Sequence, residues 1–330
     1  MATSSKLLHS FIFYLSSTLT LLRFFIFHLN ISRFLFTLID NIFSFYYKFL
    51  GLQSYTIDLD HQTTLHFWIS GHRRFNKPNL VLIHGYGGDS RWQFLYQVGF
   101  LSRKFNLFLP DLLFFGKSYS TRSDRSFAFQ AVCLGEGLRR LGVERYSVYS
   151  ISYGGYVGYR LAEICSKEME KLVIVSSGVG WNDDEEIVSQ ISKVGRDPIE
   201  VLLPTNPQDL RLLVGLSTYK GDPLRFLPDF FLQEFINAMT HNRRKEKLEL
   251  LEHLLSKKAE AELPILTQET LLIWGDQDNI FPVFLAHQLH RHLGAKSRVE
   301  IIKDTGHAAN IESPAAVNSL ITSFVLGAQS

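Results

Sequence analysis

Cysteine is scarce in this chain, with two residues in 330, and no His/Cys/Asp cluster shows metal-ligand spacing. Neither a metal nor a cofactor is expected. Cys133 and Cys165 stand alone in helix-like segments; they suit a reducing, intracellular compartment, with no disulfide and no catalytic thiol. Charge of one sign is also missing: the net charge is +2, and no basic face is interleaved with stacking aromatics, which argues against a nucleic-acid partner. The glycine turn at residues 85–88 lacks both the lysine of a phosphate loop and the full dinucleotide fingerprint, so nucleotide binding is disfavoured. Acidic residues are absent from Met1 to Ile39. What is present is apolar: hydrophobic residues make up 46% of the chain, including 27 Phe, enough for one large domain with insertions.

Four segments carry chemistry, in a fixed order. Ser147-Val-Tyr-Ser-Ile-Ser-Tyr-Gly-Gly-Tyr156 is an apolar strand that breaks into a small-residue turn around Ser152, followed by a helix-like run from Tyr153 to Ile164. A serine on a strained strand-to-helix turn holds its hydroxyl clear of the backbone, and its neighbours two positions away must be small. Gly154 meets that need on one side, and Ser150 stands where the usual first glycine belongs. Upstream, Leu80-Val-Leu-Ile83 runs into His84-Gly-Tyr-Gly-Gly88, a turn that could present backbone N–H groups to an oxyanion; the expected donors are the amides of Tyr86 and Tyr153. Downstream, Thr270-Leu-Leu-Ile-Trp274 ends in Gly275-Asp-Gln-Asp-Asn, which puts Asp276 and Asp278 at a strand's C-terminal end. Val299-Glu-Ile-Ile302 leads to Lys303-Asp-Thr-Gly-His307. Ser, then Asp, then His, each after a strand, is the chain order of one triad architecture. A serine hydroxyl needs a base within hydrogen-bond reach, and that base needs a partner to fix its tautomer. His84, beside the glycine turn, reads as structural; His287, His290 and His292 read as surface residues of a helix.

These segments resemble the α/β-hydrolase superfamily, in its serine esterase and lipase-like branch that includes plant monoacylglycerol-lipase-like hydrolases. The resemblance runs from about Tyr55 to the C-terminus, and Asp111-Leu-Leu-Phe-Phe-Gly-Lys-Ser118 and Trp274-Gly-Asp-Gln-Asp-Asn-Ile-Phe-Pro282 also carry it. It implies Ser152 as nucleophile, His307 as general base and Asp278 as orienting acid, with Asp276 at a variable acidic position. It departs from the pattern at Ser150 and at Leu113-Phe-Phe-Gly-Lys-Ser118, where bulk replaces the family's Pro-Gly. A substrate pocket is expected around His84, Gly85, Tyr86, Phe114, Phe115 and Tyr153 together with residues of the lid, taking a small-molecule ester or lipid. A ligand receptor on the same fold, or an acyltransferase using the same triad, stays open.

Alternating apolar runs at residues 55–59, 65–69, 80–83, 106–109, 146–149, 172–175, 271–274 and 299–302 predict an α/β fold. Its sheet is mostly parallel and eight-stranded, with helices on both faces and an antiparallel edge hairpin. Between Gly178 and Pro264 the alternation stops; residues 179–263 read as a helical lid inserted into a core formed by 51–178 and 264–330. Within that lid, His241-Asn-Arg-Arg-Lys-Glu-Lys247 reads as a solvated basic face.

Residues 1–50 read as a hydrophobic, membrane-associating segment. No small-x-small cleavage site follows the first apolar run. A span from Leu7 to about Ile31 would bury Arg23 at a cost on the order of 3 kcal/mol, which surrounding Leu, Ile and Phe offset at about 0.3–0.6 kcal/mol each. His9, Ser16, Arg23 and Asn30 recur every seventh residue, a narrow polar stripe that also suits a helix lying in a membrane interface, at the endoplasmic reticulum or another organelle. The aromatic run Phe43–Phe49 suits the headgroup level. The alternative is a helix packed on the protein's own core.

Overall fold

The structure, a computed structural model, describes residues 12, 14–18, 20, 31–180, 195–256 and 263–327. A helix α1 (Ile31–Phe49) precedes strands β1 (Leu52–Asp58), β2 (Thr63–Ser70) and β3 (Asn79–Ile83). Next come α2 (Ser90–Gln93), α3 (Leu95–Leu101), β4 (Asn106–Pro110), β5 (Tyr119–Ser120), α4 (Phe127–Arg140), β6 (Tyr146–Ile151), α5 (Tyr153–Ile164) and β7 (Met169–Val175). The inserted cap holds α6 (Pro198–Leu202), α7 (Pro207–Ser217), α8 (Asp229–Ile236), a π-helical turn (Asn237–His241) and α9 (Arg244–Leu254). The chain returns through β8 (Glu269–Gly275), α10 (Phe284–Leu293), β9 (Ser297–Ile302), α11 (Ala309–Glu312) and α12 (Pro314–Leu326).

The sheet order is β1-β2-β4-β3-β6-β7-β8-β9, antiparallel at β1/β2 and β2/β4 and parallel thereafter. All eight expected strands lie on this path. The ninth, β5, is a two-residue pairing onto β2, too short to leave a periodic signal. The central strands read as near-continuous apolar runs, broken in β6 by Ser147 and Ser150, because both sheet faces are buried. On β6, Tyr146 and Val148 enter one core layer while Tyr149 enters the other; on β3, Val81 and Ile83 oppose Leu80 and Leu82. The C-terminal ends of β6, β7 and β8 therefore stand side by side, where the chemistry-bearing turns emerge.

The cap helices start where their sequence says they should. Asp197 accepts from Ile199 N–H ahead of Pro198, and Asn206 accepts from Asp209 N–H ahead of Pro207, so each proline occupies a first-turn position that lacks an N–H requirement. The basic run 241–247 is only partly a solvated face: His241, Asn242 and Lys245 are exposed, but the other cations turn inward. Lys247 is 2% exposed and its Nζ donates to Met239 O at 2.6 Å and Asn242 O at 2.7 Å, while Arg243 and Arg244 donate to Ser118 O and Leu203 O. These cations close the carbonyls left open by the π-turn and the loops beside it, which no charge count reveals.

The N-terminal segment needs correcting where it can be seen. Most of the expected span over Leu7–Ile31 lies outside the described residues; among the described residues no helix is long and apolar enough to cross a membrane. Helix α1 packs on the globular body. Phe36 stacks on Trp92 at 5.6 Å and tilts against Phe231 at 6.0 Å; Tyr47 is fully buried and its hydroxyl donates to Ser90 O at 3.2 Å. Asp40 pairs with Arg91 at 2.9 Å and accepts from Trp92 Nε1 at 3.1 Å. Each buried aromatic contributes about 1.5–3 kcal/mol, enough to hold a helix that propensity alone would not. The run 43–49 is thus split: Phe43 and Tyr47 face inward, Phe45 and Phe49 outward.

Candidate active site

Ser152 joins β6 to α5 with φ 54° and ψ −125°, a conformation costing on the order of 1–3 kcal/mol for a residue with a Cβ. Its N–H donates to Val175 O at 2.9 Å and its carbonyl accepts from Gly155 N–H at 2.8 Å, which hold the turn in that shape. The strand-to-helix approach is tight: a Cβ on Gly154 would sit 2.4 Å from His84 O and 2.7 Å from Ile83 O, so any side chain there would push backbone against backbone. Ser150 is accommodated by a different glycine. A Cβ on Gly158 would lie 2.7 Å from Ser150 Oγ, so the bulk gained at position 150 is absorbed one turn into α5, and Ser150 Oγ donates to Val173 O at 3.1 Å.

The structure brings Ser152, His307 and Asp278 together. Ser152 Oγ lies 2.9 Å from His307 Nε2, and His307 Nδ1 lies 3.0 Å from Asp278 Oδ2. Asp278 has a fully buried side chain, and its Oδ1 accepts from Ile280 N–H at 2.9 Å and Phe281 N–H at 2.8 Å. With a carboxylate facing Nδ1, the imidazole carries its proton there and leaves Nε2 free to accept from the serine. Asp276 does not face the imidazole; its Oδ1 accepts from Thr305 N–H at 3.3 Å and braces the loop that carries His307. That loop lies against the β8 end so closely that a Cβ on Gly275 would come 2.1 Å from Thr305 O.

The expected pocket residues divide. Gly85 and Tyr86 line the cavity beside Ser152 and Tyr153, but His84, Phe114 and Phe115 do not; they are 0–2% exposed and form a layer behind it. Tyr86 packs edge-on to Phe115 at 5.2 Å, and Phe114 lies under the Arg125 guanidinium at 4.4 Å. The bulk of the 113–118 loop therefore backs the glycine turn rather than touching a ligand. His84 Nε2 accepts from Leu112 N–H at 2.9 Å and its Nδ1–H donates to Gly85 O at 2.7 Å, with burial pulling the imidazole below its ordinary pKa, as suits a neutral structural ring. Of the late histidines, His287 is exposed as expected, whereas His290 is half-buried with Nδ1 2.7 Å from Ser297 Oγ.

The cavity over Ser152 measures about 340 Å³. Besides Ser152 and His307, with Gln93, Ser217, Thr218 and Asn310 at its lining, it is walled mainly by apolar side chains of the cap, Leu210, Val214, Leu224, Phe231 and Phe235 among them, with Phe281 from the acid loop. Sequence reasoning did not find the residues that tie cap to core. Tyr86 Oη donates to Lys247 O on α9 at 2.9 Å. Glu312 Oε2 accepts from Gly306 N–H at 2.7 Å, and its Oε1 accepts from Tyr219 N–H at 2.9 Å and Lys220 N–H at 2.7 Å. Ala308 N–H donates to Ser217 O at 2.8 Å, so His307 is tied to the cap directly on one side and through Glu312 on the other. No pattern in the sequence marks a lone glutamate in a short helix for that task.

A family model described as "alpha/beta hydrolase fold" matches residues 78–314, well over half of the chain. The chain belongs to this family. Among its relatives, the monoacylglycerol lipase ABHD6 of Homo sapiens is 25% identical over 263 residues, covering 76% of each chain. An uncharacterized protein of Mycobacterium tuberculosis is 27% identical over 270 residues, covering 75% of each. Among solved structures, a membrane phospholipase A, a bacterial virulence factor, superposes with TM-score 0.73 at 18% identity over 98% of both chains. The esterase of Exiguobacterium antarcticum superposes with TM-score 0.67 at 18% identity, over 83% of this chain and all of its own. These structures share the alpha/beta hydrolase fold, with its mostly parallel central sheet and flanking helices.

Proposed function

We propose that the protein is a serine hydrolase that cleaves carboxylic esters of apolar acids through an acyl-enzyme on Ser152. The observation that carries this reading is the chain of contacts Ser152 Oγ to His307 Nε2 at 2.9 Å and His307 Nδ1 to Asp278 at 3.0 Å, opening into an apolar cavity. In the first step the serine proton passes to His307 Nε2 as Oγ forms a bond to the ester carbon, and the carbonyl electrons move onto oxygen. The amides of Tyr86 and Tyr153 hold that oxyanion; collapse expels the alcohol, which takes the proton from His307. Water then repeats the sequence on the acyl-enzyme, with His307 as base, and releases the acid. The apolar wall favours an acyl chain over a charged one, since a charge buried there would lose its hydration without a partner.

The graded test is hydrolysis of p-nitrophenyl esters from acetate to dodecanoate. Expected is a kcat/KM that rises at least tenfold from acetate to a medium chain, each buried methylene being worth about 0.8 kcal/mol. A flat profile would remove the apolar-acyl assignment. Single turnover with the product retained would favour a ligand receptor, and transfer to an added alcohol in preference to water would favour an acyltransferase.

The reading includes contact with a lipid surface. Phe34, Leu38, Ile42, Phe45 and Phe49 form one outward stripe on α1, each 45–76% exposed, at the spacing of a single helix face. The check is co-sedimentation of the full chain with zwitterionic vesicles. Binding is expected to fall at least fivefold in the double variant Phe45→Glu/Phe49→Glu, and equal binding by that variant would remove the stripe's role.

A further inference from the structure

Gln93, the last residue of α2, lies at the cavity edge and clasps the glycine turn with its side-chain amide. Its Oε1 accepts from Gly85 N–H at 2.7 Å; its Nε2 donates to Gly85 O at 3.0 Å and to Tyr86 O at 3.2 Å. In a trans peptide the carbonyl and the following N–H point in opposite directions. The Gly85 carbonyl is fixed by two donors, Gln93 Nε2 on one side and His84 Nδ1 at 2.7 Å on the other. The Tyr86 N–H on the same peptide is thereby turned to the opposite side, away from both. The Gly85 N–H, the competing amide of the turn, is consumed by Gln93 Oε1. The turn itself abuts the elbow, since a Cβ on Gly85 would lie 3.0 Å from Ser152 Cβ.

The main chain of Gln93 is fixed from the other side of the site. Asn310 Nδ2 donates to Gln93 O at 2.7 Å, and Gln97 Nε2 donates to Asn310 O at 2.7 Å. Asn310 belongs to α11, three residues beyond His307. One short hydrogen-bonded path thus joins the loop that carries the imidazole to the loop that carries the Tyr86 amide.

We infer that Gln93 is a positioning residue. It sets the direction of the Tyr86 N–H and registers that donor against the His307 loop through Asn310. This rests on the serine-hydrolase reading. It does not require Gln93 to touch substrate, and it predicts a defect confined to states that carry a developed oxyanion.

The test uses the full chain with Gln93→Met and Gln93→Glu. Methionine keeps the length without any hydrogen bond; glutamate keeps the acceptor for Gly85 N–H but sets a carboxylate oxygen against two carbonyls. Steady-state hydrolysis of a medium-chain p-nitrophenyl ester is measured beside inhibition by two ligands of equal chain length. One is a trifluoromethyl ketone, to whose carbonyl carbon Ser152 Oγ adds while its proton passes to His307 and the carbonyl oxygen becomes an oxyanion. The other is the corresponding alkyl methyl ether, which fills the cavity and forms no adduct. Loss of an oxyanion donor costs about 10²–10³ in rate, so kcat is expected to fall about 100-fold with KM within threefold. The ratio of the two inhibition constants should shift against the ketone by at least tenfold. That ratio does not depend on the fraction of protein folded, so partial unfolding of a variant cannot imitate the effect.

If both inhibitors weaken equally, or if kcat is retained, Gln93 is a packing residue and the inference fails while the hydrolase reading stands. If the wild type neither turns over esters nor binds the ketone more tightly than the ether, the hydrolase reading has failed first, and with it this inference.

Discussion

Ser152→Ala is expected to lower ester turnover by about 10⁴- to 10⁶-fold and to abolish labelling by a fluorophosphonate probe. The substitution removes one oxygen, the atom 2.9 Å from His307 Nε2, and leaves the rest of the elbow intact. Alanine carries the same Cβ, so the strain at φ 54° persists and folding stability should change little. The measurement is initial rate and labelling on wild type and variant side by side, with melting temperature as the control for folding. Residual activity above about 1% would show that another group attacks the ester and would overturn the assignment of Ser152. Wild-type labelling without turnover would point to a receptor that retains a reactive serine.

Asp278→Asn is expected to lower kcat by about 10⁴-fold with the fold preserved, and the reason lies in the two amides that hold the carboxylate. Ile280 N–H and Phe281 N–H both donate to Oδ1, at 2.9 and 2.8 Å. An asparagine must offer them its single carbonyl oxygen, because turning the NH₂ toward them would orphan two buried donors at about 1–3 kcal/mol each. The NH₂ group then faces His307 Nδ1, which must become an acceptor. The imidazole proton moves to Nε2, where it confronts the serine hydroxyl and can no longer remove its proton. Turnover of the same ester, read with the melting temperature, decides the matter. An Asp278→Asn variant with more than about a tenth of wild-type kcat would mean that the imidazole is oriented by something else.

The strands, their order as chemistry-bearing segments and the three residues of the proposed triad were legible because each depends on local pattern. An apolar run buried on both faces needs no partner to be recognised, and a serine between small residues announces a turn that larger ones would block. Gly154 could be read this way; the role of Gly158 could not, because its match to Ser150 exists only once α5 lies against β6. The same limit explains the misplaced pocket. Phe114 and Phe115 are bulky, yet their side chains fill space behind Tyr86, and much of the wall facing Ser152 comes from cap residues 202 to 254, roughly 90 to 140 positions further along.

For residues 31–49 the apolar pattern was read in favour of a membrane-associating segment over a core helix, yet hydrophobicity says that a face will be covered and not by what. Trp92, Arg91 and Phe231, all distant in sequence, supplied the cover for one face and left the stripe from Phe34 to Phe49 outside. By itself the sequence determined the fold class, which follows from periodicity, and put forward Ser152, Asp278 and His307 as the proposed acyl-transfer residues from residue type and order. Only the tertiary structure decided which cap residues wall the cavity, what aims the Tyr86 amide and what ties His307 to the cap. Those rest on hydrogen bonds made by Gln93, Asn310 and Glu312 to groups brought near by folding, and a single polar residue carries no trace of its partner along the chain.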